Sequence, residues 1–218
     1  MKEAKSKTTF LEIKSGQPQN LVIKQALQTF KNGGLVVFPT ETVYGLGALM
    51  TNKKAIDKIY QLRKRPKNKA LLILVSSPQM AAKYTKKTSA QVKKLIKDFW
   101  PGPLTLIFEK NKKVPNFITA GKKTVAIRMP ENKFLLDLIK KLGQPIIAPS
   151  ANLSGRKSPI TVQETFQDFF GKVDLILDGG PTKYQKESTI LDLTQQPPKI
   201  LREGAISRKK LAKYIELF

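Results

Sequence analysis

Ile23, Ala26, Leu27 and Phe30 stand at i, i+3, i+4 and i+7, and the pattern stops at Asn32-Gly33-Gly34. That spacing predicts an amphipathic helix with a glycine stop. Leu35-Val36-Val37-Phe38 follows at once and is closed by Pro39. A run this short, apolar throughout and bounded by breakers, reads as a buried strand. The same helix-then-strand phrase returns. Asn52 can cap a helix that turns Ala55, Ile56, Ile59 and Leu62 inward, ahead of a strand at 71–75. Val92, Leu95, Ile96 and Phe99 repeat the stripe, Trp100-Pro101-Gly102-Pro103 breaks it, and 104–108 is extended. A strand at 124–128, a helix at 134–142 and a strand at 145–148 come next. Thr161 with Glu164 predicts a capping box for a helix ending near Phe170. Strands at 173–177 and 189–193, a short one near Ile200, and a helix that Ser207 can cap complete the pattern. No linker or repeat interrupts it, which predicts one α/β domain.

Composition then narrows the chemistry. The chain has no Cys and no His. Disulfides, thiolate nucleophiles, Fe–S clusters and thiolate zinc sites are therefore excluded, as are Ser-His-Asp triads and His-ligated metals. Hydroxyls, carboxylates, backbone dipoles and fixed positive charge remain. Lys and Arg number 40 against 16 Asp and Glu over 218 residues, a net charge of +24. Such a balance suits anions, including nucleic acid. Runs such as Lys83, Lys86, Lys87, Lys93, Lys94 and Lys97 read as solvated surface. No apolar run reaches the ~18 to 20 residues of a membrane span, and the basic N-terminus lacks the apolar stretch of a secretory signal. The expectation is a cytoplasmic protein that is not bound to a membrane.

Ligands of open α/β sheets sit where strands end at their carboxyl ends. Four such ends deliver polar groups here: the Thr-rich turn over 39–47 with Thr40 and Thr42, then Arg128, then Ser150-Ala151-Asn152-Leu153-Ser154-Gly155, then Arg202-Glu203-Gly204. The sharpest charge cluster is Arg63-Lys64-Arg65-Pro66-Lys67-Asn68-Lys69, with five positive residues and no negative one. Guanidinium forks bind phosphate oxygens in pairs. The run also suits a solvated loop, since charge alone specifies little. Thr40, Thr42, Ser150 and Ser154 equally suit turns and caps. Gly45, Gly47, Gly155, Gly179 and Gly180 can serve only to permit unusual backbone angles. Neither G-x-x-x-x-G-K-[ST] nor G-x-G-x-x-G occurs, which disfavours a P-loop enzyme or a dinucleotide dehydrogenase.

Seven segments in order carry a likeness: Phe38-Pro39-Thr40-Glu41-Thr42-Val43-Tyr44-Gly45-Leu46-Gly47, Arg63-Lys64-Arg65-Pro66, Trp100-Pro101-Gly102-Pro103-Leu104-Thr105, Val125-Ala126-Ile127-Arg128-Met129-Pro130, Pro149-Ser150-Ala151-Asn152-Leu153-Ser154-Gly155, Glu187-Ser188-Thr189 and Leu201-Arg202-Glu203-Gly204. Together they resemble the YrdC/Sua5 family of threonylcarbamoyl-AMP synthases, from about Gly33 to Ile206. The resemblance implies a twisted mixed sheet flanked by helices around a positively charged cavity. It implies a basic extension over 1–15 and a single domain over 16–218, without the additional C-terminal domain of longer members.

The resemblance also implies a reaction of the nucleotidyltransferase type: L-threonine, bicarbonate and ATP give L-threonylcarbamoyladenylate and pyrophosphate. The product feeds a tRNA-threonylcarbamoyl transferase machinery that makes N6-threonylcarbamoyladenosine at position 37. Family positions for ATP fall on Arg65, Lys69, Thr124, Ser150, Ser158 and Arg202. Those for threonine fall on Thr42, Arg128, Ser188 and the backbone near Ala148. Arg63 and Asn152 complete a basic-pair plus Ser-x-Asn signature. Three positions depart from the family pattern: Arg63 replaces the usual Lys, Lys69 replaces a frequent Asn, and Leu74 aligns with a His of some longer members.

The chemistry agrees with the composition. A carbamate on the threonine amine can attack the α-phosphorus itself, so no enzyme nucleophile is implied, and positioning and charge neutralisation dominate. Mg²⁺ is expected with the triphosphate, held mostly by phosphates, with no dedicated protein site. Two other functions fit the composition less well: a non-catalytic double-stranded-RNA-binding module acting through shape and charge, and a carbamoyltransferase-type maturation factor, whose zinc-binding Cys motifs are missing here.

Overall fold

A computed structural model of the chain describes residues 8–13 and 19–217. Among them, ten strands form one mixed sheet and eight helices flank it. The elements in chain order are β1 (Thr9–Glu12), α1 (Asn20–Lys31), β2 (Val36–Pro39), β3 (Tyr44–Leu49), α2 (Lys53–Leu62), β4 (Leu72–Leu74), α3 (Pro78–Ala82), α4 (Ala90–Phe99) and β5 (Leu104–Glu109). Then come α5 (Asn116–Thr119), β6 (Thr124–Arg128), α6 (Lys133–Leu142), β7 (Ile146–Ile147), α7 (Gln163–Phe169), β8 (Leu175–Asp178), β9 (Thr189–Asp192), β10 (Lys199–Arg202) and α8 (Arg208–Leu211). The strand order is β1-β8-β2-β3-β7-β4-β6-β5-β9-β10. Parallel pairs (β1/β8, β2/β8, β4/β6, β5/β9) mix with antiparallel ones. No helix among the described residues is long and apolar enough to cross a membrane.

Period-two alternation splits the core into two layers. Val36, Phe38, Ile146, Leu175 and Leu177 pack against Ile23, Ala26 and Phe30 of α1 and Leu135, Leu138 and Ile139 of α6. Their neighbours Val37, Ile147 and Ile176 face the other way, toward Ala55, Ile56 and Ile59 of α2 and Leu95 and Phe99 of α4. Sequence and structure therefore agree on the helical stripes.

The caps agree in most places. Asn52 accepts from the Ala55 amide, Ser207 accepts from the Lys210 amide, and Gly33, with φ +79, follows the Asn32 C-cap of α1. The amides of Gly33 and Gly34 return to the carbonyls of Phe30 and Thr29, a left-handed C-terminal stop that glycine adopts without a Cβ penalty.

Four expectations are corrected. Residues 44–47 are strand rather than turn: β3 pairs with β2 from Pro39↔Tyr44 to Val36↔Gly47. Gly45 and Gly47 are there for space, not for special angles: a Cβ on Gly47 would run into the Phe38 ring, and one on Gly45 would press tightly against it. Gly155 and Gly180 do have positive φ. Thr161 does not cap α7, whose N-cap is Val162 without a side-chain bond; Glu164 alone reaches back, to the Ile160 amide at 2.6 Å. Thr9–Glu12, inside the span expected as an extension, is an edge strand running parallel to β8; residues 1–7 and 14–15 of that span lie outside the described residues.

Candidate active site

β2, β6, β7 and β10 deliver their ends to one cavity of about 540 Å³. Of the twelve residues expected from the sequence, eleven line it: Thr42, Arg63, Arg65, Lys69, Arg128, Ala148, Ser150, Asn152, Ser158, Ser188 and Arg202. Thr124 does not. It shares a face of β6 with Ala126 and Arg128, which do line the cavity, but stands at the strand's first position. Another concavity, about 670 Å³, lies behind Thr40 and Glu41 and contains none of the twelve.

The loop after α2 is sorted rather than uniformly turned to the cavity. Arg63 is buried: Nε donates to the Asn152 carbonyl at 2.9 Å, and an Nη donates to Ser150 Oγ and Asn152 Oδ1, both at 3.2 Å. Asn152 is fixed in turn by donating to the carbonyls of Leu153 and Arg156. Arg63, the first member of the basic pair, and Ser-x-Asn are thus one hydrogen-bonded unit, joined across 87 to 89 residues. Burial, and then the charge of Arg65, pull the Arg63 guanidinium down to about 10, still protonated at neutral pH. Arg65 is half-buried and donates to the carbonyls of Lys69 and Ala70. Burial lowers its pKa too. Lys64 and Lys67 are exposed and outside the lining, so two of the five charges in this run are surface charges.

Also in the lining, Arg128 at the end of β6 donates from Nε to the Gly102 carbonyl at 3.2 Å. It meets Glu41 at 2.6 Å, with side-chain exposures of only 5% and 2%. The contact is an ion pair rather than an aligned hydrogen bond, and Glu41 Oε2 has no hydrogen-bond partner among the described residues. Thr40 shapes the turn beside it. Its Oγ1 donates to the Val43 carbonyl and accepts from the amides of Thr42 and Val43, so Thr42 supplies the proton of the 2.8 Å contact between their hydroxyls.

Elsewhere along the cavity, residues 187–189 are coupled to the end of β10. Arg202 donates to the Ser188 carbonyl (3.1 Å), Ser188 Oγ (3.3 Å) and Glu187 Oε2 (2.6 Å). Ser158 donates to Glu187 Oε1 at 2.6 Å. Ser188 Oγ lies 2.8 Å from Thr105 Oγ1, and Thr189 Oγ1 accepts from the amides of Gly204 and Ile206. Burial lowers the Arg202 pKa, against the opposing pull of Glu187.

Sequence reasoning did not assign Thr105, Lys122, Arg156 and Glu187, all of which line the cavity. Thr105 and Glu187 lie inside quoted motifs, which is the signal that could have found them. In all, seven cationic side chains (Arg63, Arg65, Lys69, Lys122, Arg128, Arg156, Arg202) and one carboxylate, Glu187, are among the lining residues. No nucleophile–base pair is needed for what this arrangement does best: hold anions against hydroxyls and fixed guanidinium forks.

The comparisons with known proteins point the same way. The family profile Sua5_yciO_yrdC, described as "Telomere recombination", matches residues 28–204. A threonylcarbamoyl-AMP synthase of Pyrococcus abyssi is 42% identical over 193 residues, 88% of this chain and 57% of that protein. One of Bacillus subtilis is 41% identical over 201 residues, 92% of this chain and 57% of that protein. The chain thus spans little more than half the length of these curated relatives. The crystal structure of P. abyssi Sua5 complexed with L-threonine is similar with a TM-score of 0.92 and 39% identity, over 97% of this chain and 63% of that one.

Proposed function

Because the chain belongs to the Sua5/YciO/YrdC family, we propose that it is a threonylcarbamoyl-AMP synthase of the nucleotidyltransferase type, converting L-threonine, bicarbonate and ATP to L-threonylcarbamoyladenylate, pyrophosphate and water. The single observation that carries this reading is the meeting of Arg63, Arg65, Ser150, Asn152, Arg128 and Arg202 around one cavity. Bicarbonate and ATP are anions and threonine carries a carboxylate, so bringing their negative groups together in one site is unfavourable without compensating charge. Guanidinium groups in a partly buried cleft act on them more strongly than in solvent.

In this reading Thr42, Arg128, Ser188 and the backbone near Ala148 hold threonine, with Arg128 oriented by Glu41. Arg65, Lys69, Ser150, Ser158 and Arg202 take ATP, and the Arg63–Ser150–Asn152 unit lines the cavity in which the two substrates meet. The threonine amine adds to bicarbonate, losing water, to form a carbamate. A carbamate oxygen attacks the α-phosphorus, and the bond to the bridging oxygen breaks as pyrophosphate leaves. The protein positions and neutralises, and supplies no covalent intermediate.

Mg²⁺ fits this site as a companion of the phosphates. Glu187 is the one carboxylate among the cavity-lining residues, so the phosphates would be the main ligands of the metal. When bound, the metal would neutralise charge on the triphosphate. The product would serve a tRNA-threonylcarbamoyl transferase machinery in the cytoplasm. The exposed lysines at 83, 86, 87, 93, 94 and 97 offer charge for RNA binding.

The test is incubation with ATP, labelled bicarbonate and each amino acid in turn. Label in a carbamoyl-adenylate together with pyrophosphate, for threonine above all others, is the expected result. Salt-sensitive RNA binding with no pyrophosphate would replace this reading by the RNA-binding one.

A further inference from the structure

Glu187 is the one carboxylate among the cavity-lining residues, and it sits on two groups assigned above to ATP. Oε1 accepts from Ser158 and Oε2 from Arg202, both at 2.6 Å, and its charge extends to Arg63. In a site that gathers anions this placement opposes the reactant, because a phosphate oxygen needs the same two donors. The opposition is of a removable kind. The Glu187 and Arg202 side chains are 35% and 36% exposed, and ion pairs at such exposure hold weakly.

There is also somewhere for the carboxylate to go. A smaller cavity of about 320 Å³ adjoins the first; Arg156, Ser158 and Glu187 line both, while Lys157, Lys186 and one further acid, Glu203, line only the smaller. Turning Glu187 toward Lys157 and Lys186 keeps its charge beside cations and leaves Ser158 and Arg202 open.

From this geometry we propose that Glu187 is a displaceable counter-ion. It holds Ser158 and Arg202 in place while the site is empty, yields both to a polyphosphate by turning into the smaller cavity, and competes for them again as pyrophosphate departs. The inference rests on the adenylation reading and adds to it a residue that positions the phosphate donors and shortens the stay of the product.

The experiment is calorimetric titration of adenosine, AMP, ATP and pyrophosphate into the wild-type protein and Glu187→Gln, at one fixed free Mg²⁺ concentration. Gln keeps the size and the hydrogen-bonding reach while removing the charge. Binding of ATP and of pyrophosphate should tighten about 10-fold in the variant, AMP less, with adenosine unchanged. Pyrophosphate should become the stronger product inhibitor by a similar factor. A merely structural role would move adenosine together with ATP, and equal or weaker ATP binding by Glu187→Gln overturns the proposal. A cocrystal of the wild type with pyrophosphate gives a reading independent of the variant: a carboxylate still bridging Ser158 and Arg202 beside the bound anion refutes displacement. Wild-type protein that binds none of these ligands removes the adenylation reading and this proposal with it, whereas wild-type binding without the gain in Glu187→Gln removes this proposal alone.

Discussion

Arg128–Glu41 and Arg202–Glu187 are both Arg–Glu pairs with a 2.6 Å separation, and each sets an arginine in the lining of one cavity. The first is almost wholly shut off from solvent, and the second is about one-third exposed. Distance alone would call them equal. Burial separates them: a charge stripped of water depends on its partner, while a wetted one can exchange it. The first pair therefore locks Arg128 in place in the cavity lining, while the second is open to exchange with a ligand.

The sharpest way to break that distinction is to remove the acid from each pair. Glu41→Ala leaves the Arg128 charge buried without its partner and should cost about 3 to 5 kcal/mol of stability in urea unfolding. Glu187→Ala should stay within about 1 kcal/mol of wild type. Similar losses from the two would erase the contrast.

Next in size are two cations of the cavity lining. Arg65→Ala and Arg202→Ala each delete a charge-assisted contact worth roughly 1.5 to 3 kcal/mol, so ATP-dependent pyrophosphate formation should fall about 10-fold to over 100-fold. Wild-type turnover would take either residue out of the site.

Arg63 lies between the two extremes, buried yet aimed at Ser150 and Asn152. Arg63→Lys keeps the charge but not the fork, and should raise the KM for ATP by about 10-fold. An unchanged KM would reduce Arg63 to a space-filling cation. Smallest is Ser150→Ala, which removes one hydroxyl and no charge and is expected to raise KM a few-fold; unchanged constants for ATP and threonine would count against its role.

Much of the fold is legible in the sequence because its helices bury continuous stripes. Ile56 and Ile59, Leu95 and Phe99, or Leu135 and Ile139 announce themselves by spacing. β3 is not legible, because Tyr44-Gly45-Leu46-Gly47 carries the marks of a turn, and only the Phe38 ring across the pair explains the glycines. β1 hides for a different reason: four mostly exposed residues at the sheet edge leave no apolar run to read. Most of the site is legible as a list, since strand ends and ordered motifs mark Arg63, Arg128, Ser150 and Arg202. Its wiring is not. Glu41 to Arg128, Glu187 to Arg202 and Arg63 to Asn152 join residues far apart in the chain, and local pattern carries no trace of which acid meets which base.

A cocrystal with L-threonine and a non-hydrolysable ATP analogue tests the central claim most directly. The account predicts phosphate oxygens on Arg65 and Arg202, the threonine carboxylate on Arg128, and the amine side facing the α-phosphorus with no side chain between them. Ligands seated in the concavity behind Thr40 and Glu41, or phosphates that touch neither Arg65 nor Arg202, would contradict it.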